Sequence, residues 1–376
     1  MRILITNNSL HKLGGAESFV RDLACDLQSF GHTAMVYSTD LRQVVHLASG
    51  DLFHVVEDIH QLPAPPDIIH AQHHLDAMTA LTAWPGVPAI YHCHGAVWRE
   101  SIPKHPRIYH YLAMSRTMRE RLMIEFNIPP YSIDVFLNGY DPRRFSAIRQ
   151  LPEQPKRGLF YNKIHARQSP TAQAVKSAAV ANGIEMDWIG SQLDRMIDAP
   201  ENILPNYDIV FASGRSAIEA LASGCAVIVL GRTSCGEMVT PENFDRFREV
   251  NFSIAVNSPP PSTEEISRQL RRFSASECHL VTNRIRTEAD SRATVGTLER
   301  LYQQVIEVHE TRIIDEREEL LALSHYMRRL VPLVKMTDEC EMQNNMPGSR
   351  ANLVQNLVIQ MTLVKQSLAM SQRSPY

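Results

Sequence analysis

Short apolar runs alternate with amphipathic stretches over most of the chain. The first run, Ile3 to Thr6, shows no apolar–polar alternation, which is typical of a parallel strand covered on both faces. Apolar residues then recur at helical spacing as far as Gly31, a residue suited to the end of a helix. A strand over residues 33–37 follows, so the pattern predicts a β-α-β unit with Gly14 and Gly15 in its first turn.

The same alternation predicts a parallel sheet in each half of the chain. A charged, proline-containing segment at residues 146–158 resembles a linker between them. We therefore predict an α/β protein with parallel-sheet domains at residues 1–150 and 151–310. The further strands are predicted over residues 67–70, 89–92, 111–114 and 133–136 in the first domain, and 159–161, 186–189, 208–211 and 226–230 in the second.

Residues 311–376 have a different pattern, with apolar residues that step by three and four as in a heptad repeat. One such seam runs from Leu320 to Val334, where Pro332 is expected to interrupt it, and another runs from Val354 to Leu368. The spacing predicts a helical tail, folded as a hairpin. It packs either on its own domain or on another subunit of a homo-oligomer, and the pattern does not choose between them.

Composition excludes several classes of protein. With 376 residues, 44% hydrophobic and 21% charged, the chain is suited to a globular fold, and its net charge of -3 gives no positive field for nucleic acid. The six cysteines form no CxxC pair and the histidines no HExxH motif, so we expect reduced thiols and no metal. No apolar run approaches the ~20 residues that span a bilayer, which favours a cytoplasmic protein, with contact at the membrane inner face left open.

Candidate chemistry lies at the predicted carboxyl ends of strands, where open α/β sheets bind ligands. Gly14 and Gly15 would let a phosphate approach the helix N-terminus, although a tight turn with positive φ is an equally good explanation. His92 and His94 end one strand, and a histidine there can contact a sugar or serve only to pack the core. Another histidine group, which could line the same cleft, ends the preceding strand: His70, His73 and His74.

Two segments of the second half add charged candidates. Lys163, His165 and Arg167 follow a strand and suit a diphosphate, or are solvated loop charges. Ser216 and Glu219 have the spacing of a capping box, while a carboxylate at position 219 could also accept two ribose hydroxyls.

Taken in order, these segments resemble the retaining GT-B glycosyltransferases of the family 4 type. The similarity covers about residues 1–256, and no counterpart is found for the tail. The matching segments are GGAESFVRDLACDLQSFGH (14–32), DIIHAQHH (67–74), YHCHG (91–95), YLAMSRTMRERL (111–122), NGYDPRRF (138–145), LFYNKIHARQSP (159–170), WIG (188–190) and YDIVFASGRSAIEALASGCAVIV (207–229).

The resemblance implies two Rossmann-like domains that face each other across a cleft, with the acceptor mainly on the first and the nucleotide-sugar donor mainly on the second. It assigns catalysis to His94, Lys163 and Arg167, and places His73 and Asn138 on the acceptor side. The donor-binding residues that it implies are Gly14, Gly15, Gly190, Gly214, Arg215, Ser216 and Glu219.

Two departures from the family pattern concern the sugar and phosphate side. The first glutamate of the E-x7-E element would fall at Phe211, and NKIHAR replaces the usual G-R-x-x-x-K-G run. The resemblance implies a metal-independent hexosyltransferase-like enzyme without a cofactor, which acts on a nucleotide sugar and a glycan or lipid-linked acceptor, as in polysaccharide biosynthesis. A non-catalytic binding protein on the same frame and a nucleotide-sugar epimerase are the alternatives.

Overall fold

The computed structural model describes residues 1–10, 14–41, 54–95, 101–162, 166–190, 197, 199–231, 234–253 and 259–344, with residues 338–344 as backbone only. It contains two sheets with helices on their faces. Within the described residues, no helix is long and apolar enough to cross a membrane.

The first sheet has seven parallel strands in the order β3-β2-β1-β4-β5-β6-β7. Because β1 pairs with both β2 and β4, the chain reverses its direction of travel at the β1/β4 boundary, where such sheets bind ligands. The elements of this half are β1 (Arg2–Thr6), α1 (Gly15–Ser29), β2 (Thr33–Tyr37), β3 (His54–Val56), β4 (Ile68–Gln72), α2 (His74–Ala83), β5 (Ala89–Cys93), β6 (Ile108–Ala113), α3 (Arg116–Phe126) and β7 (Ile133–Val135).

The second sheet has five strands in the order β12-β11-β10-β8-β9, with β12 antiparallel to β11. The short strands β3 and β12 lie at sheet edges and were not predicted from the sequence. The elements of this half are β8 (Arg157–Tyr161), α4 (Pro170–Ala181), β9 (Glu185–Ile189), β10 (Ile209–Ala212), α5 (Arg215–Ala222), β11 (Ala226–Leu230), β12 (Cys235–Met238), α6 (Phe244–Glu249), α7 (Thr263–Leu270), α8 (Ala275–Glu288), α9 (Ser291–Thr311) and α10 (Glu316–Asn344).

Helix α9 follows the second sheet in sequence but packs on the first. Its buried face, Val295, Leu298, Tyr302 and Val305, belongs to the same apolar cluster as β1 and α1. The two halves are therefore joined by a returning helix as well as by the linker. The predicted domain boundaries at residues 150 and 310 stay predictions.

Helix α10 continues through Pro332, so the expected interruption there is wrong. Leu323 and Tyr326 pack against the core of the first sheet, and Glu319 pairs with the buried Arg107 at 2.9 Å. One face of α10 is thus docked on its own domain. The second apolar seam of the tail, Val354 to Leu368, lies outside the described residues.

The heptad seam of α10 is divided between two directions. Leu320, Met327 and Val334 are 66%, 49% and 58% exposed, whereas Leu323 is partly buried against the body. Residues seven positions apart therefore form an apolar stripe that faces solvent, which we call the α10 stripe.

Candidate functional site

The carboxyl ends of β1, β4 and β5 meet at one edge of the first sheet. The Thr6 hydroxyl donates to the carbonyl of Gln72 at 2.7 Å and accepts from the Gln72 N–H at 2.8 Å, which joins the ends of β1 and β4. His94, just beyond β5, is half-buried and shares a 2.5 Å hydrogen bond between its Nε2 and Gln72 Oε1. Gln72 therefore fixes the orientation of the His94 ring.

A buried histidine pair lies behind His94. His70 Nδ1 lies 2.6 Å from the Tyr302 hydroxyl, and His70 Nε2 lies 3.3 Å from His92 Nδ1. Burial lowers the pKa of His70 to about 3 and the pKa of His92 well below its ordinary value, and the nearby His94 lowers both further. Since the His92 ring stacks on His94 at 4.3 Å, a neutral histidine pair supports the half-buried ring of His94.

Of the three histidines that end β4, one faces the site. His73 has a left-handed backbone, φ 53°, which costs energy in a residue with a side chain, and its ring lies 6.1 Å from His94. The Asn8 N–H donates to His73 Nδ1 at 3.2 Å. His70 is instead enclosed in the core and His74 is bonded to Tyr326 of α10 at 2.8 Å, so neither lines the predicted cleft.

Helix α1 begins at Gly15, with Gly14 as its N-cap at φ −101°. The tight turn with positive φ is therefore wrong for this pair. A Cβ at Gly15 would meet no atom of the described residues within 4 Å, whereas a Cβ at Gly14 would collide with the Glu17 carboxylate. Glu17 thus places a negative charge where the N-terminus would attract a phosphate.

Helix α5 begins directly after β10 and carries the acid predicted to bind ribose. Gly214, with φ +60°, is its N-cap and provides no side-chain hydrogen bond, so the predicted capping box of Ser216 and Glu219 is wrong. Glu219 instead accepts a 2.8 Å hydrogen bond at Oε1 from Arg215 Nε, one helical turn earlier. The carboxylate is therefore held by an ion pair rather than by the helix N-terminus.

The same arginine reaches across to the first domain. Arg215 Nη2 donates to Asp22 Oδ2 on α1, and the side chains of both residues are almost fully buried. Arg144 also lies 3.7 Å from Asp22 and pairs with Glu201 at 2.6 Å. Although burial by itself raises the pKa of Asp22, the charges of Arg215, Arg21 and Arg144 bring that pKa below its ordinary value.

Helix α1 therefore contacts both halves of the candidate site. Phe19 packs edge-on against His94, with ring centroids 4.9 Å apart, and Asp22, one turn later, binds Arg215. Asp22 and Phe19 are candidates that sequence reasoning missed. The helical periodicity identified Phe19 as apolar, but nothing in the sequence indicates that Asp22 is buried against a distant arginine.

The remaining predicted residues lie in several places. Arg167 is exposed before α4, while Lys163 and His165 lie outside the described residues. Gly190 is buried at the end of β9, and Ser216 hydrogen-bonds the Tyr161 hydroxyl. Asn138 lies shortly after β7, before the predicted linker.

The contacts of Asn138 are with the second half of the chain. Its N–H donates to Asn251 Oδ1 at 3.1 Å, and its carbonyl accepts from Arg248 at 2.7 Å. These bonds attach the segment after β7 to the second half of the chain, and the acceptor-side role of Asn138 stays a prediction.

Phe211 does not occupy a position that faces a donor sugar. It lies within β10 and is fully buried with Phe160 and Ile228, on the face of the sheet opposite to Val210 and Ala212. Only Ser213 and Gly214 separate β10 from α5. The side chain at position 211 points into the core, and the correspondence of this position with the first glutamate of the E-x7-E element stays a prediction.

Comparisons with known proteins agree with this architecture. Residues 13–144 match the model of Glycosyltransferase Family 4, and no curated protein matches the chain. A glycosyltransferase from Rickettsia africae is similar with a TM-score of 0.58 and 13% identity, over 81% of this chain and 98% of that one. Sucrose-phosphate synthase from Thermosynechococcus elongatus is similar with a TM-score of 0.55 and 12% identity, over 82% and 99%. The chain has the GT-B fold, and its residues 13–144 match the model of Glycosyltransferase Family 4.

Proposed function

We propose that the protein is a glycosyltransferase. It moves a sugar from a nucleotide-diphosphate sugar to the hydroxyl of a glycan, a lipid-linked glycan or a polysaccharide precursor, with retention and without a metal ion. The family 4 match over residues 13–144 and the two facing Rossmann-like domains support this reaction class. The hexosyl character of the sugar and the identity of the acceptor belong to the proposal.

One observation carries the proposal: a single helix contacts the candidate groups of both sheets. Through Phe19, α1 packs on His94 at the edge of the first sheet, and through Asp22 it binds Arg215, the partner of Glu219 on the second. A donor placed at the N-terminus of α1 would thus have a histidine on one side and a carboxylate on the other. We assign the ribose to Glu219 and the transferred sugar to the side of His94.

The chemical step requires stabilisation of charge on the leaving group. The bond between the anomeric carbon and the diphosphate breaks, a bond to the acceptor oxygen forms, and the acceptor proton passes to the leaving phosphate. Negative charge grows on that phosphate, and the α1 N-terminus together with Lys163 and Arg167 would stabilise it. Each fixed donor of this kind contributes on the order of 10²–10³ in rate.

A thermal-shift screen with UDP, GDP, ADP, CMP and TDP and their sugars tests the proposal. We expect one nucleoside diphosphate to raise the melting temperature, and Arg167→Ala to reduce that shift. Arg300→Ala is the matched control, since Arg300 is an exposed cation on α9. If no nucleotide shifts the melting temperature, the result would contradict the proposal and favour a non-catalytic scaffold protein. Turnover of a nucleotide sugar without an acceptor would indicate an epimerase.

A further inference from the structure

The Arg215 guanidinium lies between two carboxylates that belong to different halves of the molecule. Its Nε donates to Glu219 Oε1 and its Nη2 donates to Asp22 Oδ2. All three side chains are more than 90% buried. A buried guanidinium keeps its charge, so the carboxylates around it determine where its N–H groups point.

The two carboxylates compete for the same guanidinium. Glu219 accepts from Arg215 with Oε1, and its Oε2 accepts no hydrogen bond from any described residue. An arginine that has a single carboxylate partner tends to bind it with two parallel N–H···O bonds. Without the charge of Asp22, Arg215 would therefore turn its second N–H towards Glu219 and occupy both oxygens.

Asp22 is well suited to prevent that rearrangement. Its pKa lies below its ordinary value because Arg215, Arg21 and Arg144 outweigh the effect of burial, so the carboxylate is charged at neutral pH. It also lies on α1, a helix that the first sheet holds in place through Phe19, Val20 and Leu23.

We propose that Asp22, acting through Arg215, is a positioning residue of the donor site that keeps Glu219 Oε2 available to accept the ribose hydroxyls. This inference rests on the proposed function and deepens it, since it assigns to the acceptor-side domain a part in recognition of the nucleotide. Recognition of the ribose would depend on the contact between the domains.

The test compares a ribonucleoside diphosphate with its 2′-deoxy analogue by calorimetric titration of the full chain. The ratio of the two dissociation constants measures the hydroxyl contact, and it cancels any change in phosphate affinity that follows from a change in charge. We expect the wild type to prefer the ribonucleotide by on the order of tenfold or more, as for one hydrogen bond to a charged group. Asp22→Asn should reduce the ratio to about one, whereas Asp22→Glu should retain most of it.

Asp26→Asn is the matched control. Asp26 lies one turn further along α1 and bonds Arg143 at 2.6 Å and Ser291 at 2.8 Å, so this change removes the same charge from the same helix without touching Arg215. It should leave the ratio unchanged. The double variant Asp22→Asn/Arg215→Gln should restore the preference, because the competing guanidinium is gone.

An unchanged ratio of dissociation constants in a folded Asp22→Asn protein would overturn the inference. A ratio that stays at about one in the double variant would overturn it as well. If the Asn variant does not fold, Asp22→Ser serves in its place, with folding followed by circular dichroism. A wild type that binds no nucleotide, or binds both analogues equally, contradicts the assignment of Glu219 in the proposed function itself.

Discussion

The neutral state of the buried histidines predicts how stability depends on pH. The pKa of His70 in the folded chain is about 3, because burial disfavours the charged ring, whereas an unfolded histidine has a pKa of about 6.5. Below pH 6.5 the unfolded chain therefore binds a proton that folded His70 does not. The stability that His70 contributes is complete above about pH 6.5 and is lost as the pH falls through that value.

The magnitude follows from the same two values. Between about pH 7.5 and about pH 5, one histidine with this difference removes about 2 kcal/mol of unfolding free energy. The pKa of His92 is also lowered, by burial and by its histidine neighbours, so His92 adds a loss in the same direction.

Urea denaturation of His70→Gln at the two pH values tests this prediction. The variant will lose the contacts to Tyr302 and His92 at both pH values. The resulting loss of stability cancels when the change in unfolding free energy between the two pH values is compared with that of the wild type. We expect the loss between about pH 7.5 and about pH 5 to be about 2 kcal/mol smaller than in the wild type. His60→Gln, at an exposed position, is the control. A His70→Gln protein with the full wild-type pH dependence would show that protonation of His70 in the unfolded chain does not cause this loss.

The structure supports four further predictions. Gly214→Ala should lower the free energy of unfolding by about 1–3 kcal/mol in urea denaturation, because Gly214 has φ +60°. Gly15→Ala should change that free energy little but weaken nucleotide binding. Equal losses of stability in the two variants would contradict this prediction. Glu17→Gln should strengthen binding of a nucleoside diphosphate several-fold by calorimetry, because it removes the negative charge beside Gly14, and weaker binding would exclude that explanation. Glu319→Gln should lower stability by about 1–3 kcal/mol in thermal unfolding, since it deprives the buried Arg107 of its carboxylate, and an unchanged melting temperature would show that α10 does not depend on this pair. If the α10 stripe joins subunits, Leu320→Ser/Met327→Ser/Val334→Ser should lower the sedimentation mass while the docked face of α10 stays intact, and an unchanged mass would remove that role.

Much of the fold could be predicted from the sequence because buried parallel strands are nearly continuous apolar runs. Residues 33–37 and 226–230 coincide with β2 and β11, and the helix end at Gly31 is confirmed by its φ of +83°. The edge strands β3 and β12 could not be found in this way, since His54–Val56 is very short and CysGlyGluMet contains no apolar run.

The sequence could not reveal which sheet each helix covers. The pattern of α9 shows that Val295, Leu298 and Tyr302 are buried, yet the same pattern would be satisfied against either sheet. The local sequence likewise allowed Glu219 to be a capping residue or a ribose ligand. The structure shows an ion pair with Arg215 in place of a cap. Partners that are distant in sequence, such as Asp22 and Arg215, leave no local signal.

A crystal structure with the nucleoside diphosphate identified by the thermal-shift screen would show where the donor binds. We expect the ribose hydroxyls to donate to Glu219 Oε2 and the diphosphate to face Gly15 at the N-terminus of α1. A nucleotide bound elsewhere on the protein, with Glu219 contacting only Arg215, would contradict this expectation.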